Sequence, residues 1–326
     1  MIVSCAPFRV SFAGGGSDLA SFYSKRRGAV LSCTIAKYSF IIIHPFFNAK
    51  KYHLKYTRTE LVDHIDQIQH PILREALRMQ AVEPGVEVAS VADIPGGTGL
   101  GSSSSFSVAL INALYAHRRI FVPKETLAKE ACALEIERLG EPIGKQDQYA
   151  AAYGGVNLIE FERHGAVTVQ PLLLSSATLS ELEGNLMLFY TGKTRQASTI
   201  LAQQKSNIAG KIEVLKQMTR QAHQVRRLVE SADIDGLGAV LHQGWEAKRK
   251  LAQGVSSGEL DEIYERAIKA GAIGGKISGA GGGGFFLLCV PSDKRQSVRQ
   301  ALANLREMPF RLERGGSRIV LNLQRY

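Results

Sequence analysis

The residues best suited to chemistry sit in three glycine-rich segments of a 326-residue chain. Residues 6–18 hold three glycines, 95–105 hold four and 274–284 hold seven, so fourteen of the 32 glycines lie in about a tenth of the sequence. Glycine clustered this way holds backbone where a Cβ would clash, in tight turns or against a ligand. The middle segment, Pro95-Gly96-Gly97-Thr98-Gly99-Leu100-Gly101-Ser102-Ser103-Ser104-Ser105, follows a strand-like run and opens an amphipathic helix. It therefore offers free backbone N–H groups and the positive end of a helix dipole to a phosphate. Its serines can cap the helix, bind phosphate oxygen or ligate Mg²⁺, whereas a helix cap alone accounts for only one of them. Two familiar nucleotide motifs fail here. No Walker A string is present, and Gly279, Gly281 and Gly284 match G-x-G-x-x-G but lead into a strand-like run at 285–288 rather than a helix.

Strands and helices that must position these segments are legible from periodicity. Short apolar or alternating runs at 2–5, 29–35, 40–44 and 86–91 predict strands. Phe106, Ala109, Leu110, Ala113 and Leu114 form one apolar stripe on a helix over 103–117, and Pro123 opens another through about 139. Strands near 167–169 and 186–190 precede a long helical region over 198–251, which reads as antiparallel helices. A helix at 260–270, a strand at 285–290, a helix at 293–306 and a strand at 318–323 complete the pattern. Elements alternate without regular βαβ spacing, which favours an α+β fold. The expected domain division is 1–180 and 181–326.

Taken in order, three strings carry a specific resemblance. Ala6-Pro7-Phe8-Arg9-Val10 with Gly14-Gly15-Gly16-Ser17-Asp18, then Pro95 to Ser103 as quoted, then Lys276-Ile277-Ser278-Gly279-Ala280-Gly281-Gly282-Gly283-Gly284, resemble motifs one, two and three of the GHMP kinases. The strings Gly28-Ala29-Val30-Leu31-Ser32, Gly144-Lys145-Gln146-Asp147-Gln148-Tyr149-Ala150 and Gly154-Gly155 are similar to the sugar 1-kinase branch, particularly its heptose 7-phosphate kinases, and more distantly its L-fucokinases.

That resemblance implies a mixed α/β N-terminal domain of the ribosomal-protein-like β-α-β kind and a ferredoxin-like, helical C-terminal domain, with the active site between them. It implies ATP and Mg²⁺, and phosphorylation of the anomeric hydroxyl of a heptose 7-phosphate on the route to GDP-heptose. Asp147 is the implied base for the acceptor hydroxyl and Arg9 the cation beside it. Gly97, Gly99, Leu100, Gly101, Ser102, Ser103 and Ser104 are the implied phosphate cradle. Ser103 and Glu137 are the implied Mg²⁺ ligands, with Glu135 and Glu141 as substitutes because the register before Asp147 is open. Asp18, Gly15, Gly16, Ser17, Lys145, Gly281 and Gly282 are the implied substrate contacts. Lys193 and Arg195, in an exposed-looking turn before a helix, are candidates for a sugar phosphate group.

Composition bounds the alternatives. The chain is 45% hydrophobic and 21% charged, enough for a sizeable core, and has no Gly-X-Y period. No stretch approaches the ~18 apolar residues of a membrane helix, and the first residues lack a signal-peptide pattern, so a cytoplasmic protein without membrane partner is expected. Cys5, Cys33, Cys132 and Cys289 are scattered without metal-ligand spacing and read as reduced, buried thiols. A net charge of +10 is spread over short basic clusters, which argues against nucleic acid and for small anionic substrates. Another sugar kinase, or a non-catalytic sugar and ATP sensor on the same scaffold, are the competing readings. The expected partners are ATP and a sugar phosphate, and a homodimer is compatible with the sequence.

Overall fold

A computed structural model describes residues 1–193, 212–249 and 254–324. Its centre is two long antiparallel strands, β1 (Ile2–Ala13) and β2 (Gly28–Pro45). Both are longer than the sequence periodicity suggests. The runs expected at 29–35 and 40–44 are one strand, and β1 continues past Cys5 because Phe8, Val10 and Phe12 alternate into a core. Gly14 ends β1 with φ +91°, and a Cβ there would sit 1.9 Å from the Ala29 carbonyl oxygen, so only glycine fits.

Around this pair an eight-stranded sheet forms in the order β12-β1-β2-β5-β3-β4, with β6 paired to β2 and β7 to β6. The added strands are β3 (Tyr52–Lys55), β4 (Thr59–Val62), β5 (Val86–Ala92), β6 (Val156–Phe161), β7 (Val167–Pro171) and β12 (Arg318–Asn322). Helices α2 (Pro71–Met79), α3 (Ser102–His117), α4 (Lys124–Cys132) and α5 (Gln146–Tyr153) cover one face, where Val108, Ile111, Leu127 and Ala151 are buried with Ile41 and Ile43. A four-residue helix, α1 (Ala20–Tyr23), links β1 towards β2.

The opposite face packs on the second half of the chain. There, α6 (Ser176–Asn185) leads to an antiparallel four-stranded sheet, ordered β11-β8-β10-β9. Its strands are β8 (Leu186–Tyr190), β9 (Gly274–Ile277), β10 (Phe285–Cys289) and β11 (Arg306–Glu307). Helices α7 (Ile212–Glu230) and α8 (Ile234–Arg249) share a core with Phe8, Val10, Leu31, Leu188 and Leu287. Helices α9 (Gly258–Lys269) and α10 (Arg295–Ala301) close the far side of the small sheet around Trp245, Phe286 and Tyr264. The α+β architecture matches the expectation, and the last strand, β12, returns to pair with β1. Helix α10 is shorter than the expected 293–306 helix because the chain turns after Ala301 and enters β11.

The four cysteines are free and buried. Among the described residues no helix is long and apolar enough to cross a membrane.

Candidate active site

Alternation along β1 decides where the site begins. Phe8, Val10 and Phe12 enter the core against the small sheet, so Arg9 between them points to the other face, towards α3 and α5. Its guanidinium meets Asp147, in the first turn of α5, as a parallel fork: Nε donates to Oδ1 and Nη2 to Oδ2, each at 2.7 Å. Nη1 donates to the Gly99 carbonyl at 2.7 Å. One side chain thus ties the carboxylate to the glycine-serine loop. The Arg9 side chain is 4% exposed while Asp147 keeps 23%, so the carboxylate is the member of the pair that a substrate can reach.

The loop before α3 is shaped by its glycines. Gly97, Gly99 and Gly101 all have positive φ. A Cβ on Gly99 would stand 2.5 Å from the Ser278 carbonyl, and one on Gly101 would stand 3.3 Å from Asp147 Oδ2. Glycine here lets the second motif touch the third on one side and the Arg9–Asp147 pair on the other. Leu100 is buried, and its carbonyl accepts from the Arg9 backbone N–H at 3.0 Å. Ser102, Ser103 and Ser104 then occupy the first turn of α3.

Ser103 meets Glu135 and not the expected Glu137. Its Oγ donates to Glu135 Oε1 at 2.5 Å, and Gln148 Nε2 donates to Glu135 Oε2 at 2.6 Å. Glu137, the residue expected in this role, is exposed, as is Glu141. A π-helical turn over Ala133–Arg138, broader than the α-helix it continues, carries Glu135 on its buried side. Burial raises the Glu135 carboxyl above its usual range, while the bonds from Ser103 and Gln148 oppose the rise.

Asp18 lies at the end of the β1 turn, buried. Its Oδ1 accepts from the Gly16 N–H at 2.8 Å. Burial and the nearby negative charge of Asp147 raise its carboxyl above the usual range. Gly144 gives it room, since a Cβ there would lie 1.9 Å from Asp18 Oδ2. Gly15 faces Gln146 Nε2 and Ser11 Oγ, at 3.7 and 4.0 Å from where a Cβ would be, so sequence segments 131 residues apart converge on one turn.

Several expected contacts are placed elsewhere. Ser17 is fully buried and exchanges two bonds with the Ala29 backbone, which spends its hydroxyl on holding the turn. Lys145 reaches away, donating to the Gly165 carbonyl at 2.9 Å and standing over the Tyr23 ring. Gly281 packs on Val255, and the Gly282 N–H donates to the Val255 carbonyl at 2.8 Å, so these two glycines shape the third loop. Lys193 is exposed and paired with Glu259. Arg195 lies outside the described residues.

Two lysines complete the site that sequence reasoning did not single out for it. Lys276 on β9 donates to the Ser11 and Phe12 carbonyls at 2.7 and 3.4 Å, and Lys248 on α8 donates to the Gly279 carbonyl. Both are buried. Burial pulls Lys248 down to about 8 and Lys276 well below the usual ammonium range, with the positive charge of Arg9 contributing to both. The only signal in the sequence was that Lys276 opens the third glycine string.

Comparison with known proteins identifies the family. The model of the GHMP kinases N terminal domain matches residues 64–155, and that of the GHMP kinases C terminal domain matches 225–307. A D-glycero-alpha-D-manno-heptose 7-phosphate kinase of Campylobacter jejuni is 31% identical over 315 residues, covering 91% of each chain. A galactokinase of Thermococcus kodakarensis is 28% identical over 254 residues, 65% of this chain and 67% of that one. Among solved structures, a D-glycero-D-manno-heptose 1-phosphate kinase from Bacteroides thetaiotaomicron superposes with a TM-score of 0.81 at 26% identity, covering 99% of this chain and all of the other.

Proposed function

The chain belongs to the GHMP kinase family and is a sugar kinase, and from that premise we propose that it transfers the γ-phosphoryl group of ATP to the anomeric hydroxyl of D-glycero-D-manno-heptose 7-phosphate. The product is the 1,7-bisphosphate, a precursor suited to GDP-heptose formation. The observation that carries the reaction is the bidentate Arg9–Asp147 pair set against the start of α3. The choice of sugar is supported by the likeness to the Campylobacter heptose 7-phosphate kinase over most of both chains.

Phosphoryl transfer asks the protein mainly for positioning and charge neutralisation. The N–H groups at the start of α3 receive the β- and γ-phosphates. Asp18 and Gly16 orient the sugar hydroxyls, and the acceptor hydroxyl gives its proton to Asp147 Oδ2, the atom nearest Gly101. Each carboxylate oxygen has a lone pair left beyond its bond to Arg9. An anomeric hydroxyl is more acidic than an ordinary alcohol, so a carboxylate is base enough. Arg9 holds Asp147 in place and faces charge building on the transferring group.

Ser103 Oγ and Glu135 are hard oxygen donors 2.5 Å apart at the phosphate end of the site and would hold Mg²⁺. Bound there, the ion would neutralise phosphate charge.

Incubation with ATP, Mg²⁺ and a panel of sugars and sugar phosphates, read by ³¹P NMR, tests the proposal. A new anomeric phosphate on heptose 7-phosphate, with little turnover of L-fucose or galactose, is expected. Phosphate on any other ring hydroxyl refutes a 1-kinase, and faster turnover of an unphosphorylated sugar refutes the substrate.

A further inference from the structure

Lys248 is a buried ammonium that no carboxylate grips directly among the described residues. It sits near the end of α8, 6% exposed, and its Nζ donates to the Gly279 carbonyl and, at 3.5 Å, to that of Ile277. Lys276 is in the same condition on β9, held only by the carbonyls of Ser11 and Phe12. Among the described residues no carboxylate forms an ion pair with either lysine. Residues 194–211 and 250–253 contain no Asp or Glu. A buried cation left without an opposite charge is costly, and carbonyl oxygens offset only part of that cost.

The polar atoms nearby point the same way. Ser278 lies between the two residues whose carbonyls Lys248 holds, is 2% exposed, and its Oγ has no partner. Ser11 Oγ, beside the carbonyl that Lys276 holds, is likewise buried and unpartnered. Each is a hydroxyl that an incoming acceptor would satisfy. Gly279, whose carbonyl Lys248 holds, packs against Gly99, whose own carbonyl takes a bond from Arg9, so the ammonium stands at the seam between the two halves of the molecule, one loop away from Arg9.

We propose that Lys248, with the Ser278 hydroxyl, forms a second anion subsite that takes a phosphate dianion at the seam between α8, the third glycine loop and β1, apart from the start of α3. Lys276 is its positioning residue, joining β9 to the end of β1 through Ser11 and Phe12. The subsite makes and breaks no bond. Its dianion has two sources in this reaction, the γ-phosphate of the nucleotide or the phosphate carried by the sugar. The inference rests on the transfer site lying at Arg9 and Asp147.

Calorimetric titration of the full chain separates the sources. Lys248→Met is compared with the unaltered protein for ADP, the β,γ-imido analogue of ATP, D-glycero-D-manno-heptose and its 7-phosphate. A rise in Kd of about tenfold or more for the imido analogue, with ADP within twofold, supports the subsite and assigns the γ-phosphate; such a loss is the size expected for one charge-assisted bond. The same rise for the heptose 7-phosphate, with heptose within twofold, supports it and assigns the sugar phosphate. All four constants within twofold, or equal losses with and without the extra phosphate, overturn it, the second because Lys248 would then only brace the loop. Lys248→Gln keeps a donor for Gly279 without charge, so unchanged phosphate affinity there also overturns it, and Lys248→Arg is expected to restore most of the affinity. Asp147→Asn runs in parallel. Undiminished turnover in that variant refutes the catalytic reading, whereas the binding constants of the Lys248 variants judge the subsite alone.

Discussion

The two walls of the site handle charge in opposite ways. On the wall built from β1 and helices α3 to α5, the buried charges that face the site have partners: Arg9 grips Asp147, and Glu135 takes bonds from Ser103 and Gln148. On the wall built from α8 and β9, Lys248 and Lys276 rest on carbonyl oxygens alone. The first wall is already organised by its own bonds, which suits the proposed base and its cation, since neither should reorganise during transfer. The second is left electrostatically incomplete, and anionic substrates supply what it lacks.

The most severe way to break the first wall is Asp147→Asn. Turnover is expected to fall by ~10³-fold while nucleotide affinity stays within a few-fold, since general-base catalysis by a positioned group contributes about 10²–10⁴. Calorimetry and steady-state assay check it together. Full activity in the variant removes Asp147 from the mechanism.

Next in size is Gly144→Ala. The added methyl would meet Asp18 Oδ2 at 1.9 Å and displace that carboxylate, so KM for the sugar should rise about 10- to 100-fold, a misplacement effect, with KM for ATP nearly unchanged. Glu135→Gln should raise the Mg²⁺ concentration needed for half-maximal rate by ~10-fold, the loss typical when a metal site is disturbed. Glu137→Gln should change it less than about twofold, because that residue faces solvent. Equal effects in the two variants would contradict the inward turn of Glu135.

The second wall has a smaller, thermodynamic signature. Folded Lys248 titrates at about 8 against an ordinary value of 10.5, so between those pH values the unfolded chain binds more protons than the folded one. Stability contributed through this group therefore rises with pH across that window. Without substrates, the melting temperature of the unaltered protein relative to Lys248→Met should climb by a few degrees from pH 8 to 10. A flat difference would mean that the ammonium is compensated after all. Least affected is Lys193→Ala, expected to shift KM for the sugar phosphate less than about twofold, because Lys193 stands exposed on Glu259. A tenfold rise in that assay would show that it leaves Glu259 for the substrate.

Much of this site was legible because its parts are local strings. Glycine spacing announces backbone that must turn or approach closely, and Gly97, Gly99 and Gly101 do adopt conformations that other residues avoid. Arg9 and Asp147 were recognisable from the strings around them, although 138 residues separate them. Glu135 was not separable from Glu137, because a π-helical turn is invisible to a reading that assumes 3.6 residues per turn. Ser17, Lys145 and Lys193 have side chains that suit a ligand, and each found a nearer partner within the protein.

By itself, then, the sequence determined the kind of fold, the family and the three glycine loops around which the site is built, since those depend on periodicity and on residues near one another in the chain. Tertiary structure alone decided which carboxylate meets Ser103, which side chains are spent on the scaffold, and that two lysines lie buried on carbonyl oxygens. Burial is the physical reason. The cost and reach of a charge depend on what packs around it from distant segments, and β9, α8 and β1 meet only when the two sheets close on one another.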